Sequence, residues 1–438
     1  SPVATFISAV TQSGYVHRPT PGRPRRYLKK SLPSLEFEYS EGRIDETVRE
    51  IDAESLKHIP YGLDSSMYQW VDLDGEGIPG ILTEQADAWF YKRNISPLYS
   101  RHGSSDVRLA PLELVASKPA AGLAASRAQL IDLAGDGQVD FVQMAAPVRG
   151  FYERTGEAGW VTFRPFSEFP DVDSRDPNVR FIDLDGDGHV DILIAADNVF
   201  SWHASLAEEG FGPATIVHQA MDEEHGPRLV FADGTQSIYV ADMSGDGLSD
   251  LVRIRNGEIC YWPNLGYGRF GARVTMGNAP WFDTPELFDQ QRIRVGDVDG
   301  SGTSDIFYLG GDGVTIWRNE AGNAWSDGRR LNLLPPTTNT SLVTVVDLLG
   351  NGTACLVWSS LLPGDAGRQM RFVDLMGGQK PHLLVRIKNN LGVETRVHYR
   401  SSTAFYLAAK LAGTPWLTGL PFPVHVVERV ETHNRISP

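Results

Sequence analysis

Apolar and polar positions alternate in short runs along most of this chain, and the runs come in pairs. DILIAADNVFSW, DLVRIRNGEICYW and DIFYLGGDGVTIW each set two β-branched or aromatic stretches around a Gly or Asn, which predicts hairpins rather than helices. SLEFEYS places Leu35, Phe37 and Tyr39 on one face, as a half-buried strand does, and is expected to pair into the last repeat. HLLVRIKNNLGVETRVHYRSS predicts a longer hairpin. Leu383, Val385 and Ile387 line one strand, residues 389–392 turn, and Val393, Thr395, Val397 and Tyr399 line the other. No apolar run reaches the 18 or so residues that a bilayer span needs, so direct membrane insertion is not expected.

Between the paired runs lies a recurring acidic loop. FIDLDGDGHVD, residues 181–191, brings Asp183, Asp185, Asp187 and Asp191 together although like charges repel. A hard cation resolves the conflict, because calcium takes six to eight oxygen ligands from carboxylates, carbonyls and water. Gly186 and Gly188 permit the tight path, and His189 offers its main-chain carbonyl. Related loops begin at Asp72, Asp132, Asp242, Asp297 and Asp347, so six copies stand 50 to 60 residues apart. A period of that size marks a repeat architecture.

An aromatic follows the ninth loop position by 11 or 12 residues in five copies, at Tyr91, Tyr152, Trp202, Trp262 and Trp317. The sixth departs, with Phe372 lying 17 residues after Cys355, which predicts an insertion. Each unit is long enough for four strands, one blade of a propeller, with the aromatics packed between blades. The fold expected is all-β: a six-bladed β-propeller over residues 33–378 with calcium-type loops, an N-terminal arm over 1–32, and a hairpin segment over 379–438.

Side-chain oxygens rank the loops as metal sites. The third has Asp183, Asp185, Asp187 and Asp191; the fourth has Asp242, Ser244, Asp246 and Asp250; the fifth has Asp297, Asp299, Ser301 and Asp305. Leu248 and Thr303 occupy the carbonyl position that His189 has in the third. The second loses a ligand at Ala134, the first ends in Gly80, and the sixth offers Leu349 and Cys355 where oxygens are needed. Structural calcium is the cofactor expected, in the third to fifth loops.

The net charge of −15, from 40 basic and 55 acidic residues, argues against nucleic acid as a partner. Cys260 and Cys355 are expected to be free and buried. Gly266, Gly268 and Gly271 match a dinucleotide spacing, yet strand-like flanks replace the required strand and helix. The basic segment HRPTPGRPRRYLKK reads as an exposed irregular arm and MDEEH as a solvated loop. No P-loop, H-E-x-x-H or G-x-S-x-G occurs, so no enzyme is expected. The first residues lack an initiator Met and the last are strand-like, as in a piece of a longer chain.

The chain resembles the middle region shared by the B component of bacterial Tc (ABC-type) toxin complexes and the Salmonella virulence plasmid B protein family. The likeness runs through SGYV, YLKKSLPSLEFEYS, YQWVDLDGEGIPGILTEQADAWFYKRN, YWPNLGYGRFG, FDTPELFDQQRIRVGDVDGSG, KPHLLVRIKNNLGVETRVHYRSST and PFPVHVVERVE. It implies that the final segment opens an Rhs-type shell shared with a C component. It further implies that the propeller docks on the pore-forming A component of a secreted complex and gates release of the toxic cargo. An adhesin or lectin-like propeller that binds a glycan or host receptor is the alternative.

Overall fold

The computed structural model describes residues 5–18, 26–59, 68–100, 105–123, 128–144, 148–155, 159–232, 235, 237–311, 313–331, 341–360, 363–365 and 368–435. Its frame is six four-stranded antiparallel sheets, one per repeat. In the third, Val179–Ile182, Asp191–Ala196, Val199–His203 and Thr215–His218 follow one another in sequence and in space. The acidic loop joins the first strand to the second, and a tight turn joins the second to the third. The same order builds the first, second, fourth and fifth sheets.

The sixth sheet is assembled from both ends of the repeat region. Ser341–Val346, Cys355–Ser360 and Met370–Asp374 supply three strands, and Val48–Glu50 supplies the outer one, pairing Val48 with Val373. The insertion predicted here lies between Ser360 and Met370 and contains a 3-10 turn at Pro363–Asp365.

The strand expected to make that pairing, Leu35–Tyr39, goes elsewhere. It lies between Ala9–Val10 and Leu384–Lys388 in a five-stranded sheet completed by Val393–Ser401 and His425–Asn434. Ion pairs accompany that pairing. Glu38 ion-pairs with Arg386 and Lys388, and those contacts, led by the Lys388 hydrogen bond, hold its carboxyl below the ordinary range. Val48 and Ile51 instead carry apolar surface into the cores beside the sixth sheet.

The predicted 384–401 hairpin forms, and the helix Ser402–Leu411, not anticipated from sequence, follows it. Ser401 caps that helix by accepting from the Thr403 amide. The basic segment near the start is paired on both sides, Ser13–Arg18 against Arg26–Ser31, so that part of the arm is a hairpin. Its proline-rich middle, residues 19–25, lies outside the described residues.

Six apolar cores sit between consecutive sheets. Trp89 and Phe141 join the first to the second; Phe151 and Ile192 the second to the third; Leu193 and Trp262 the third to the fourth. Ile254 and Ile306 join the fourth to the fifth, and Phe307 and Leu356 the fifth to the sixth. In the last, Val357 and Phe372 of the sixth sheet pack with Tyr68 and Ile81 of the first. The repeat aromatics are core: Tyr91, Trp202, Trp262, Trp317 and Phe372 are all buried. Cys260 and Cys355 are free and buried.

Candidate functional site: the ring of acidic loops

Each loop is tied first to itself. Asp183 accepts from the amides of Gly186 (2.7 Å) and Gly188 (3.0 Å), two glycines at φ +79 and +89 where a Cβ would be strained. The ninth-position carboxylate ties the loop to its own sheet. Asp191 accepts from Leu184 and Ser205, Asp250 from Met243 and Asn264, and Asp305 from Val298 and Asn319.

The loops are then tied to one another through one repeated acceptor, the carbonyl just after the first Asp. Leu73 O accepts from Arg154 Nε (2.9 Å), Leu184 O from Asn264 (3.2 Å) and Met243 O from Asn319 (2.9 Å). Leu133 O bonds the His189 ring at 2.9 Å, and Val298 O accepts from the Ala354 amide at 3.2 Å. Leu348 O of the sixth loop accepts from Asn94 of the first sheet at 3.0 Å. In each case the donor belongs to the next repeat, and after the sixth the next is the first.

The loops differ in what they can hold. In the third, one oxygen from each of Asp183, Asp185 and Asp187 lies within 4.8 Å of the others, and Asp185 Oδ1 is a buried acceptor with no hydrogen-bond partner. Burial, then Asp187, pushes the Asp185 carboxyl up. Asp191 stands outside that cluster. The third loop therefore fits a divalent cation, with an orphaned oxygen aimed where one would bind. The fifth gathers Asp297, Asp299 and Asp305 in the same way. Ser301 Oγ there bonds Thr303 Oγ1 at 3.0 Å rather than standing free. The fourth has a buried, unpartnered Ser244 Oγ, while Asp246 accepts from the Leu248 amide. Asp242, Asp246 and Asp250 form no such cluster among the described residues.

Residues that sequence reasoning missed fill the first loop. Arg93 and Arg154 clamp Asp74 at 2.6 and 2.7 Å, and Arg93 and Lys410 hold Glu76 at 2.9 and 2.8 Å. Burial alone would raise the Asp74 carboxyl, but the two guanidiniums outweigh it and the net shift is down. Glu76 goes the other way: burial dominates and pushes it up to about 7. The overlooked signal was Arg154 itself, which stands where Asn264 and Asn319 stand in later repeats.

The last sixty residues cover part of the ring. Pro421 lies against Gly137, Pro423 against Gly352, and Leu420 O and Phe422 against Gly77. Thr403 Oγ1 donates to Gly350 O at 2.7 Å, and the Ser401 hydroxyl donates to the same carbonyl. Gly188, Gly247 and Gly302 have open space instead. The first, second and sixth loops are thus covered, the third and fourth stand open, and the fifth is open at Gly302 but met by Lys380 at Gly300. A cavity of about 790 Å³ between the ring and the five-stranded sheet is lined by Lys380, Arg386, Arg396 and Arg400, with Glu38 and Glu428. MDEEH is a largely exposed loop, as expected, from which Glu223 turns in to pair with the nearly buried Arg253 at 2.9 Å.

The family model described as the insecticide toxin TcdB middle/N-terminal region matches residues 320–437. That of the FG-GAP-like repeat matches 183–253. The Photorhabdus luminescens Tc holotoxin pore structure matches 100% of this chain at 27% identity with a TM-score of 0.82. This chain is a relative of the Tc toxin B components. The TcdB2-TccC3-TEV crystal structure matches 98% of the B-component relative at 26% identity, TM-score 0.63. A further TcdB2-TccC3 structure, lacking its hypervariable C-terminal region, shares the fold at 24% identity, TM-score 0.64. A search of curated proteins gives no match. The B-component relative spans about a fifth of the chains it matches, 19% and 20%. No described helix is long and apolar enough to cross a membrane.

Proposed function

We propose that this chain is the docking ring of a secreted, non-enzymatic toxin-complex subunit, which binds an A component and gates release of cargo held in a shell shared with a C component. The observation that carries the reading is the match over the whole chain to part of a Tc holotoxin. The six sheets then act as blades of a closed propeller. Closure is supported by the core that joins the sixth sheet to the first and by the Asn94 bond to Leu348 O. The segment over residues 379–438 is the start of the Rhs-type shell, and the ring must favour an open over a closed arrangement when A binds, by a real difference in affinity.

The loop face is partly covered by the last sixty residues, and the opposite face is the one assigned to the partner. It exposes Trp281 and Leu287 at 70% and 64% in the connection between the fourth and fifth sheets. Interferometry of this chain against the A component of the same genome is expected to show saturable binding. Trp281→Ala should weaken it tenfold or more, an anchor tryptophan contributing about 2 kcal/mol or above. A folded chain that does not bind A sinks the docking role.

Calcium in the open loops is part of the same reading and serves to stiffen them. Ligand bound only by the folded state stabilises it in proportion to RT ln(1 + [L]/Kd). Millimolar calcium is therefore expected to raise the melting temperature, and Asp185→Asn to reduce that rise more than Asn351→Ala does. Equal effects would remove the third loop from the account.

A further inference from the structure

We infer that side chains of this protein take the place of metal in the first and fifth loops, so that only the open sector of the ring depends on ions. The inference rests on reading the repeat's loops as cation sites.

In the first loop the replacement is complete. Asp74 and Glu76, 9% and 1% exposed, are met by Arg93, Arg154 and Lys410 at 2.6 to 2.9 Å. Asp72 is already taken up by the amides of Glu76 and Gly77, and Asp74 and Glu76 face three positive groups, so a divalent ion could enter only by displacing one of those groups. In the third loop, among the described residues, no Lys or Arg pairs with Asp183, Asp185 or Asp187, and the Asp185 oxygen is left over.

The fifth loop looks like the third from its acids and like the first from its surroundings. Lys380 reaches in from the chain that leaves the sixth sheet. Its ammonium donates to Gly300 O within the loop and to Gly352 O of the sixth loop, at 3.1 Å to the latter. The ammonium bonds carbonyls and acts on the Asp297 and Asp299 carboxylates through its charge, and His382 Nε2 lies 3.6 Å from Asp299. Asp297 already accepts three amides, from Gly300, Ser301 and Gly302, and both oxygens of Asp305 accept amides as well. What remains for a metal is a crowded group of acceptors beside a fixed positive charge, and like charges in a poorly solvated site repel strongly. The fifth loop is therefore lysine-filled, against its ranking from sequence.

The two lysines also explain where the replacement occurs. Lys380 and Lys410 belong to the segment that lies on the ring, so the same contact that neutralises a loop holds that segment in place. An ion there would compete with the tether.

Calorimetric titration of this chain with calcium tests the inference. Asp299→Asn is expected to leave the number of calcium equivalents unchanged, whereas Asp185→Asn removes one. Lys380→Met should add one equivalent, which disappears again when Asp299→Asn is added, and Lys380→Arg should restore the original count. Loss of an equivalent in Asp299→Asn alone would overturn the inference, as would a folded Lys380→Met chain with no gain. If Lys380→Met does not fold, the Asp299→Asn count decides by itself. Absence of calcium binding in the unaltered chain would end the metal reading of the third loop, while the Lys380→Met gain would still establish what fills the fifth.

Discussion

Arg154→Met is expected to destabilise the fold by about 3–5 kcal/mol, the cost of leaving one partner of a buried ion pair uncompensated. The Arg154 and Asp74 side chains are 5% and 4% exposed and 2.7 Å apart. Arg154 also donates to Leu73 O and lies over the Trp160 ring, so its loss unties the second sheet from the first loop. The deficit has a pH signature. Asp74 has a folded pKa below its ordinary value of 3.8, so its contribution is present above that value and lost as pH falls through the folded one. Urea denaturation should therefore show the full difference at neutral pH and a shrinking one only below about pH 3.8. A loss under 1 kcal/mol at pH 7 would mean that Arg93 alone satisfies Asp74.

Phe372→Ala should cost about 3–5 kcal/mol, the usual range for deleting a buried aromatic ring. Phe372 is 1% exposed in the core between the sixth and first sheets. Phe211, also 1% exposed, sits in the core between the second and third, where no closure is at issue. In a closed ring the two alanine variants should lose similar stability. If the seam is open in solution, Phe372→Ala will cost much less than Phe211→Ala, and the propeller reading fails at that seam.

The loops and hairpins were legible because their signals are local. Gly186 and Gly188 mark a turn that only glycine makes without strain, and DLVRIRNGEICYW can do little but fold back on itself. The closing strand was hidden for the opposite reason. VRE has two charges in three residues and acquires its partner only from Met370–Asp374, while LEFEY alternates more cleanly and was the better strand by pattern. A strand's neighbour depends on partners distant in sequence, as the pairing of Leu35–Tyr39 with Leu384–Lys388 shows, and single-sequence periodicity does not carry it. The metal ranking had the same blind spot: counting oxygens in the fifth loop says nothing of Lys380.

The sixth sheet also fixes an order of events during folding. Val48 and Val373, which pair across that sheet, lie near opposite ends of the repeat region. A chain emerging from the ribosome can complete five sheets in turn from neighbouring sequence, but Val48–Glu50 must wait for Met370–Asp374. Pairings of such wide separation form late and slowly. Until then the exposed edges of Met370–Asp374 and Val48–Glu50 are open to the wrong neighbour, including the same strands of another copy. The last step of synthesis for this region is thus its most aggregation-prone moment.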